Sequence, residues 1–133
     1  MIPLKPSQAI HLLRVSLAAV FFLHAIVRIF NGSIDQFGAF LNGKGFICGT
    51  ALVWVITGFE LIGGVLLALG FFRKVIAVLF IAILLMGIVL IHFSQGWFVG
   101  EHGTGGMEYS FILIVGLLTV MSNTERATDE RVR

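Results

Sequence analysis

The fold is decided by the stretch FELIGGVLLALGFFRKVIAVLFIAILLMGIVLIHF, residues 59–93, in which Arg73 and Lys74 separate two long apolar runs. An α-helix needs about 20 apolar residues to cross the hydrocarbon core of a bilayer. The run at 75–93 has that length, and the run before the two cations extends back to form 46–72. The stretch therefore predicts two membrane-spanning helices joined by a short, cationic connection.

Two further apolar runs flank this pair, at 10–30 and 109–121. The last run is short, and it reaches the length of a span only when Gly105, Gly106, Met107 and Ser122 are included. The 133 residues are 58% hydrophobic and 12% charged, whereas soluble domains carry roughly 25% charged residues. We predict an all-α fold: one four-helix transmembrane bundle over 1–123, followed by a disordered cytoplasmic tail at 124–133.

The first apolar run also has features of a signal peptide, because Lys5 precedes it and Ala18 and Ala25 could mark a cleavage site. However, Arg14 interrupts the run, and the run continues past Ala25 to Phe30. Both features suit a retained span better, so we expect the first helix to remain in the protein.

The cations divide unevenly between the two ends of the predicted spans. Only Arg28 and Lys44 lie near one side. The others lie near the N-terminus, the second connection or the tail: Lys5, Arg14, Arg73, Lys74, Arg126, Arg131 and Arg133. Because Lys and Arg are retained on the cytoplasmic side, we expect both termini in the cytoplasm and the protein in a bacterial inner (plasma) membrane.

The two outer connections, 31–45 and 94–108, have patterns of their own. Ser33 and Gln36 form a capping-box pattern, and apolar residues follow at 34, 37, 40 and 41. This spacing predicts a short amphipathic helix in the membrane interface, for which packing is the ordinary explanation. The second connection is rich in glycine, yet it contains Trp97 and Phe98 and is followed by Tyr109, residue types that settle at the headgroups.

Six ionisable side chains lie in or beside the apolar runs, where each is costly unless paired or hydrated. They are Arg14, His24, Arg28, Glu60, His92 and Glu108. Arg14 and Arg28 can extend to the headgroups, and Glu108 suits a helix N-terminus. Glu60 lies near the middle of a span, so it requires a partner or a function.

Helical geometry predicts which of these residues could meet. Steps of 100° place Arg14, His24 and Arg28 within about 80° of one another on one face. Counting about 1.5 Å per residue puts His24 and Glu60 near mid-depth, and Arg28, His92 and Glu108 near the outer surface. We therefore expect Arg28, His92 and Glu108 to lie within reach of one another, with Arg28 and Glu108 coupled. If the cluster is structural, buried pairs of His24 with Glu60 and of Arg28 with Glu108 are expected.

Four segments, in this order, resemble the DoxX family of four-helix membrane proteins. They are LLR at 12–14, LHAIVR at 23–28, FELIGGVLLALGFFRK at 59–74, and His92 followed by GWFV and GGMEY. The resemblance covers nearly the whole chain. It implies that Arg14, His24, Glu60, His92 and Glu108 are the polar positions of the family, with Arg28 where a lysine is common.

The resemblance also implies a quinone-linked redox role, because some members serve in thiosulfate:quinone oxidoreduction. We expect the polar cluster, with Tyr109 beside it, to bind a quinone or a similar small apolar ligand at the outer leaflet. A protein partner in an oxidoreductase complex is implied as well. His24, Arg28 and His92 could donate hydrogen bonds to the ligand while Glu60 relays protons.

Two other functions fit the same residues. In a non-enzymatic scaffold or assembly subunit, the cluster would only lock the helices together. A b-type haem held by His24 and His92, or a small transporter, is a lesser alternative. We expect no metal site and no nucleic-acid partner, and Cys48 stands alone, which leaves no intramolecular disulfide.

Overall fold

The computed structural model describes residues 4–100 and 105–132, with side chains up to 123, and it is all-helical apart from its connections. One isolated antiparallel bridge joins Val99 to Gly105. The helices are α1 (Pro6–Phe30), α2 (Ile34–Gly43), α3 (Gly49–Leu69), α4 (Arg73–Gly87) and α5 (Glu108–Val132). A π-helical turn (Ile88–His92) and a 3₁₀ turn (Phe93–Gln95) continue α4.

Three helical segments are long and apolar enough to cross a membrane: Pro6–Phe30, Gly49–Leu69 and Arg73–Gln95. Glu108–Asn123 is a shorter apolar helix. The helices lie close to the predicted apolar runs, so the all-helical class is confirmed, while the count of four spans stays a prediction. The division into a domain at 1–123 and a disordered tail also stays a prediction.

The four long helices form a ring in chain order. α1 contacts α3 and α5, and α4 contacts the same two neighbours. Helices α1 and α3 run antiparallel, because Arg14 of α1 lies beside Ala68 of α3, and Arg28 lies beside Glu60. We call the end with Pro6, Leu69 and Arg73 the terminal end, and the end with Phe30, Gly49 and Glu108 the loop end.

The terminal half of the ring is filled by an apolar core. Leu17 and Ala18 of α1 pack there with Leu67 of α3, Ala77 and Phe80 of α4 and Leu117 and Val120 of α5, among others. The rings of Phe21 and Phe80 stack at 3.8 Å between centroids, across the bundle. Gly64 lets α3 approach α1, since a Cβ there would lie 3.1 Å from the Ala18 carbonyl oxygen.

The amphipathic helix predicted in the first connection is present as α2, and it packs on α3. Ile34 and Leu41 of α2 form a second small core with Val53 of α3. The predicted capping box is not formed, because the Ser33 hydroxyl makes no cap bond and donates instead to the Arg28 carbonyl. The location of α2 in a membrane interface stays a prediction.

Candidate functional site: a polar-walled cavity in the loop half

A cavity of about 540 Å³ occupies the loop half of the ring, above the stacked Phe21 and Phe80 rings. Its walls come from all five helices, the π-helical turn and the second connection. The lining is mostly apolar, and six of the side chains carry polar atoms: His24, Arg28, Glu60, His92, Tyr109 and Ser110. A cavity of this size, apolar with a few polar groups, is typical of small-molecule sites.

One wall is a buried ion pair between α1 and α3. Nη1 of Arg28 donates to Oε2 of Glu60 at 2.6 Å, and Nη2 donates to Oε1 at 3.4 Å. Nη1 also donates to the Thr57 hydroxyl at 2.8 Å, and that hydroxyl donates onward to the Val53 carbonyl. The Phe37 ring of α2 covers the guanidinium at 5.8 Å. Each charge is therefore compensated, as burial requires.

The structure corrects the predicted pairing, since Arg28 joins Glu60 and not Glu108. Side chains on an α-helix tilt toward its N-terminus. Because α1 and α3 are antiparallel, Arg28 reaches toward the terminal end while Glu60 reaches toward the loop end. The two side chains therefore meet at a depth in the bundle between those of their Cα atoms. An estimate of depth from the number of residues along each helix does not include this tilt.

Both intramembrane histidines line the cavity. His24 also remains exposed on the outside of α1, so it lies at an edge of the cavity and does not pair with Glu60. His92 ends the π-helical turn, and its Nδ1 lies 2.7 Å from the Gly105 carbonyl oxygen. Because a carbonyl oxygen can only accept, Nδ1 donates this hydrogen bond, and Nε2 is the acceptor atom of the neutral ring. π-helical turns recur at functional sites.

Glu108 is the first residue of α5, where it holds the connection that covers the cavity, and it is not a lining residue. Its Oε1 accepts a hydrogen bond from the Val99 backbone N–H at 2.9 Å. The backbone N–H of Glu108 donates to the Trp97 carbonyl, and that of Gly106 donates to the Phe98 carbonyl. These bonds hold Val99, Gly105 and Gly106 over the loop end of the cavity. Residues 101–104 lie outside the described part of the connection.

Arg14 lies apart from the other predicted site residues, at the terminal end. Nη2 of Arg14 donates to the Ala68 carbonyl oxygen at 3.3 Å and lies 3.0 Å from Nδ1 of His11. The structure thus separates Arg14 from the cavity. It brings His24, Arg28, Glu60, His92 and Tyr109 together around one space.

Sequence reasoning missed two contributors to this site. Phe37 was predicted only as part of an apolar helix face, yet its ring lies over Arg28. Ser110 is buried and lines the cavity two residues after Glu108. The sequence signal for Phe37 was its place on the apolar face of a predicted helix that follows Arg28 closely in the chain. In 4–100 and 105–123, no three His, Cys, Asp or Glu side chains are placed to hold a metal ion.

A comparison with protein families decides what this arrangement belongs to. The family model described as DoxX matches residues 9–93, which run from the first turn of α1 to the residue after the π-helical turn. The chain belongs to the DoxX family. The predicted resemblance is confirmed, and with its apolar helices the chain is a membrane protein. Comparisons with curated proteins and with solved structures find no significant match.

The DoxX match also contains most of the cavity's polar wall. His24, Arg28, Glu60 and His92 lie within residues 9–93, whereas Tyr109 and Ser110 lie beyond them. The helices that carry the ion pair and both histidines are therefore the part of the chain shared with the family model. α5 completes the cavity from outside that match.

Proposed function

We propose that this DoxX-family protein binds a quinone, or a similar flat apolar molecule, in the cavity of its loop half. The observation that carries the proposal is the cavity itself: about 540 Å³ lined mostly by apolar side chains, with a few polar groups among them. A protein that needed only a locked bundle would gain from filling this space, because interiors pack to high density and cavities are destabilising.

The polar groups suit the two carbonyl oxygens of a quinone. His24 and the Tyr109 hydroxyl can each donate a hydrogen bond, and both line the cavity. Nδ1 of His92 donates to the Gly105 carbonyl, so Nε2 of its neutral ring is an acceptor, which suits the hydroxyl of a reduced quinone. Arg28 and Glu60 engage each other through both carboxylate oxygens. We therefore assign Glu60 the task of holding Arg28 against the cavity, in place of the proton relay that the sequence suggested.

The redox role is proposed as that of a subunit. The 133 residues contain one cysteine, so a dithiol within one chain cannot supply electrons to a bound quinone. In this proposal, the electron donor is a partner protein in an oxidoreductase system, and the DoxX chain supplies the quinone site. In this proposal, all four long helices span the inner membrane, and the loop end faces away from the cytoplasm.

A scaffold function is the second candidate, and the Arg28–Glu60 pair favours it. The pair is buried, its hydrogen bonds are satisfied, and it joins α1 to α3. Such a pair can specify how helices assemble without any ligand. The scaffold hypothesis, however, gives no reason for a cavity beside the pair.

The proposal is tested by purifying the protein from its native membrane in mild detergent and identifying co-purified molecules by mass spectrometry. We expect a quinone at a near-stoichiometric ratio, and a shift of the melting temperature when decylubiquinone is added to protein freed of it. A visible spectrum with haem bands would favour the haem alternative. Absence of any quinone, together with an unchanged melting temperature, would leave the scaffold hypothesis.

A further inference from the structure

The cavity has an open side that identifies the route and the shape of its ligand. Most lining residues are buried or half-buried, but a few are also exposed on the outside of the bundle. On α1 these are Val20 and His24, and on α5 they are Tyr109 and Ile112. A residue that lines a cavity and is exposed as well marks the edge of an opening.

The seam between α1 and α5 is closed below this point. A Cβ on Gly116 of α5 would lie 3.2 Å from the methyl groups of Leu17 and 3.6 Å from Leu13. The two helices therefore pack closely in the terminal half. One turn nearer the loop end, at Val20 and Ile112, both side chains are about half exposed, at 45% and 58%. Because both side chains also line the cavity, the cavity is accessible from outside at this level of the seam.

Apart from Met86 of α4, the other described boundaries of the cavity are covered. The Phe21 ring, which stacks on Phe80, lines its terminal end. The Arg28–Glu60 pair with Phe37 forms the α3 wall. Val99, Gly105 and Gly106 lie over the loop end. Met86 of α4, at 39%, is the remaining exposed hydrophobic lining residue in the described chain, and it supplies a comparison position.

We propose that the opening between α1 and α5 is a lateral entrance from the lipid, and that the ligand is a tailed amphiphile whose tail leaves through it. This inference rests on the proposed function. The head occupies the cavity, which at about 540 Å³ has room for a ring but not for a long chain in addition. His24 and Tyr109 flank the entrance, where the head joins the tail.

The chemistry of the edge fits such a ligand. Val20 and Ile112 offer an apolar passage at membrane depth, suited to a prenyl or alkyl chain. A tail in this passage remains in contact with lipid, so little free energy is needed to place it outside the cavity. A water-borne ligand would instead have to cross the lipid to reach an entrance on the side of the bundle.

The test compares decylubiquinone, which has an alkyl tail, with duroquinone, which has none, on protein reconstituted in nanodiscs. Dissociation constants are measured for the parent and for a Val20→Phe/Ile112→Phe double variant, which narrows the seam. We expect decylubiquinone to bind the double variant about tenfold more weakly or worse, while duroquinone binds unchanged. Met86→Phe, at the exposed lining residue of α4, tests the alternative entrance. Leu79→Phe, at an α4 position that is 45% exposed and does not line the cavity, is the control and should alter neither constant.

Each other outcome has a definite meaning. Unchanged decylubiquinone binding in the double variant would overturn the lateral entrance and leave the quinone site standing. A selective loss of decylubiquinone in Met86→Phe would overturn the assignment of the entrance to α1 and α5. If the parent binds neither quinone, the proposed function fails and this inference fails with it. The melting temperature of each variant without ligand shows that the bundle is folded.

Discussion

At the scale of single residues, the buried Arg28–Glu60 pair explains how this apolar bundle keeps two charges in its interior. Glu60 is 2% exposed and Arg28 is 9% exposed, and Thr57 and Phe37 complete the surroundings of the guanidinium. A pair of this kind contributes little net stability over apolar packing. Its partners nevertheless depend on each other, because either charge left alone would be buried without compensation.

This dependence predicts a pattern of stability in variants. Glu60→Leu should be strongly destabilising, by about 3–5 kcal/mol, because it leaves a buried guanidinium unpaired. Glu60→Gln should be milder, since the amide oxygen can still accept from Arg28. The Arg28→Leu/Glu60→Leu double variant should lose less than the sum of the two single variants, as measured by melting in detergent.

Glu108→Ala provides the comparison, because Glu108 accepts a hydrogen bond from Val99 and not from Arg28. We expect its effect to add to that of Arg28→Leu without coupling. Strong coupling between Arg28 and Glu108, with none between Arg28 and Glu60, would contradict the observed pairing.

The sequence predicted which charged residues form the site more accurately than it predicted which of them pair with one another. Charges in apolar runs stand out by their transfer cost, so Arg28 and Glu60 were found from the sequence alone. Their partnership depends on side-chain tilt and on which helices are neighbours, and neither is encoded in spacing along one helix. Arg14 also carries a charge in an apolar run and was therefore selected by the same criterion. It shares a face of α1 with His24 and Arg28, but it lies at the opposite end of the helix, beside Ala68.

At the scale of helices, the crossing of α2 over α3 shows how small residues set the loop end. A Cβ on Gly49 would clash with the Gly38 carbonyl oxygen and lie 2.8 Å from Oδ1 of Asn42. Oδ1 of Asn42 also accepts a hydrogen bond from the Gly49 backbone N–H at 2.7 Å. This close approach brings α2, and with it Phe37, against the wall of the cavity.

Gly49→Ala should therefore destabilise the protein by about 1–3 kcal/mol, the typical effect of overpacking. Gly43→Ala is the control, because a Cβ there meets nothing within 4 Å and alanine favours helix. Melting temperatures in the same detergent check both variants. An equal response to the two substitutions would mean that the crossing is not held by close contact.

The helices themselves were largely predictable, because each apolar run has the length and the ends of a helix. α2 was also predictable, since its apolar residues recur at helical spacing. The π-helical turn was not, because bonds from i to i+5 depend on how the chain packs around His92 and Gly105. The arrangement of the second connection depends on hydrogen bonds between residues well separated in sequence, such as that from Val99 to Glu108, and these leave no periodic pattern in a sequence.

At the scale of the whole molecule, the structure sharpens the prediction of orientation. Arg28 is buried in its pair, which leaves Lys44 as the exposed Lys or Arg at the loop end of the described chain, whereas Lys5 and Lys74 are exposed at the terminal end. The terminal end should therefore be cytoplasmic. A C-terminal fluorescent protein fusion should be bright in a bacterial inner membrane. An active alkaline phosphatase fusion at the same position would exclude the four-span, inward-facing topology.

The division of the bundle into a packed terminal half and a hollow loop half is the basis of the proposed ligand site. Its most direct test fills the cavity without disturbing the helices. Gly87 lines the cavity, has ordinary helical dihedral angles, and a Cβ there would meet only His92, at 3.9 Å. Gly58 lies in α3 away from the cavity, with open space around its Cβ, and serves as the matched control.

The measurement is the dissociation constant of decylubiquinone for the parent, Gly87→Leu and Gly58→Leu. We predict that Gly87→Leu binds about tenfold more weakly or worse, because its side chain takes up room the head needs, while its melting temperature without ligand is maintained. Gly58→Leu should bind like the parent. Parent-like binding by a folded Gly87→Leu variant would contradict the claim that the cavity in the loop half is the ligand site.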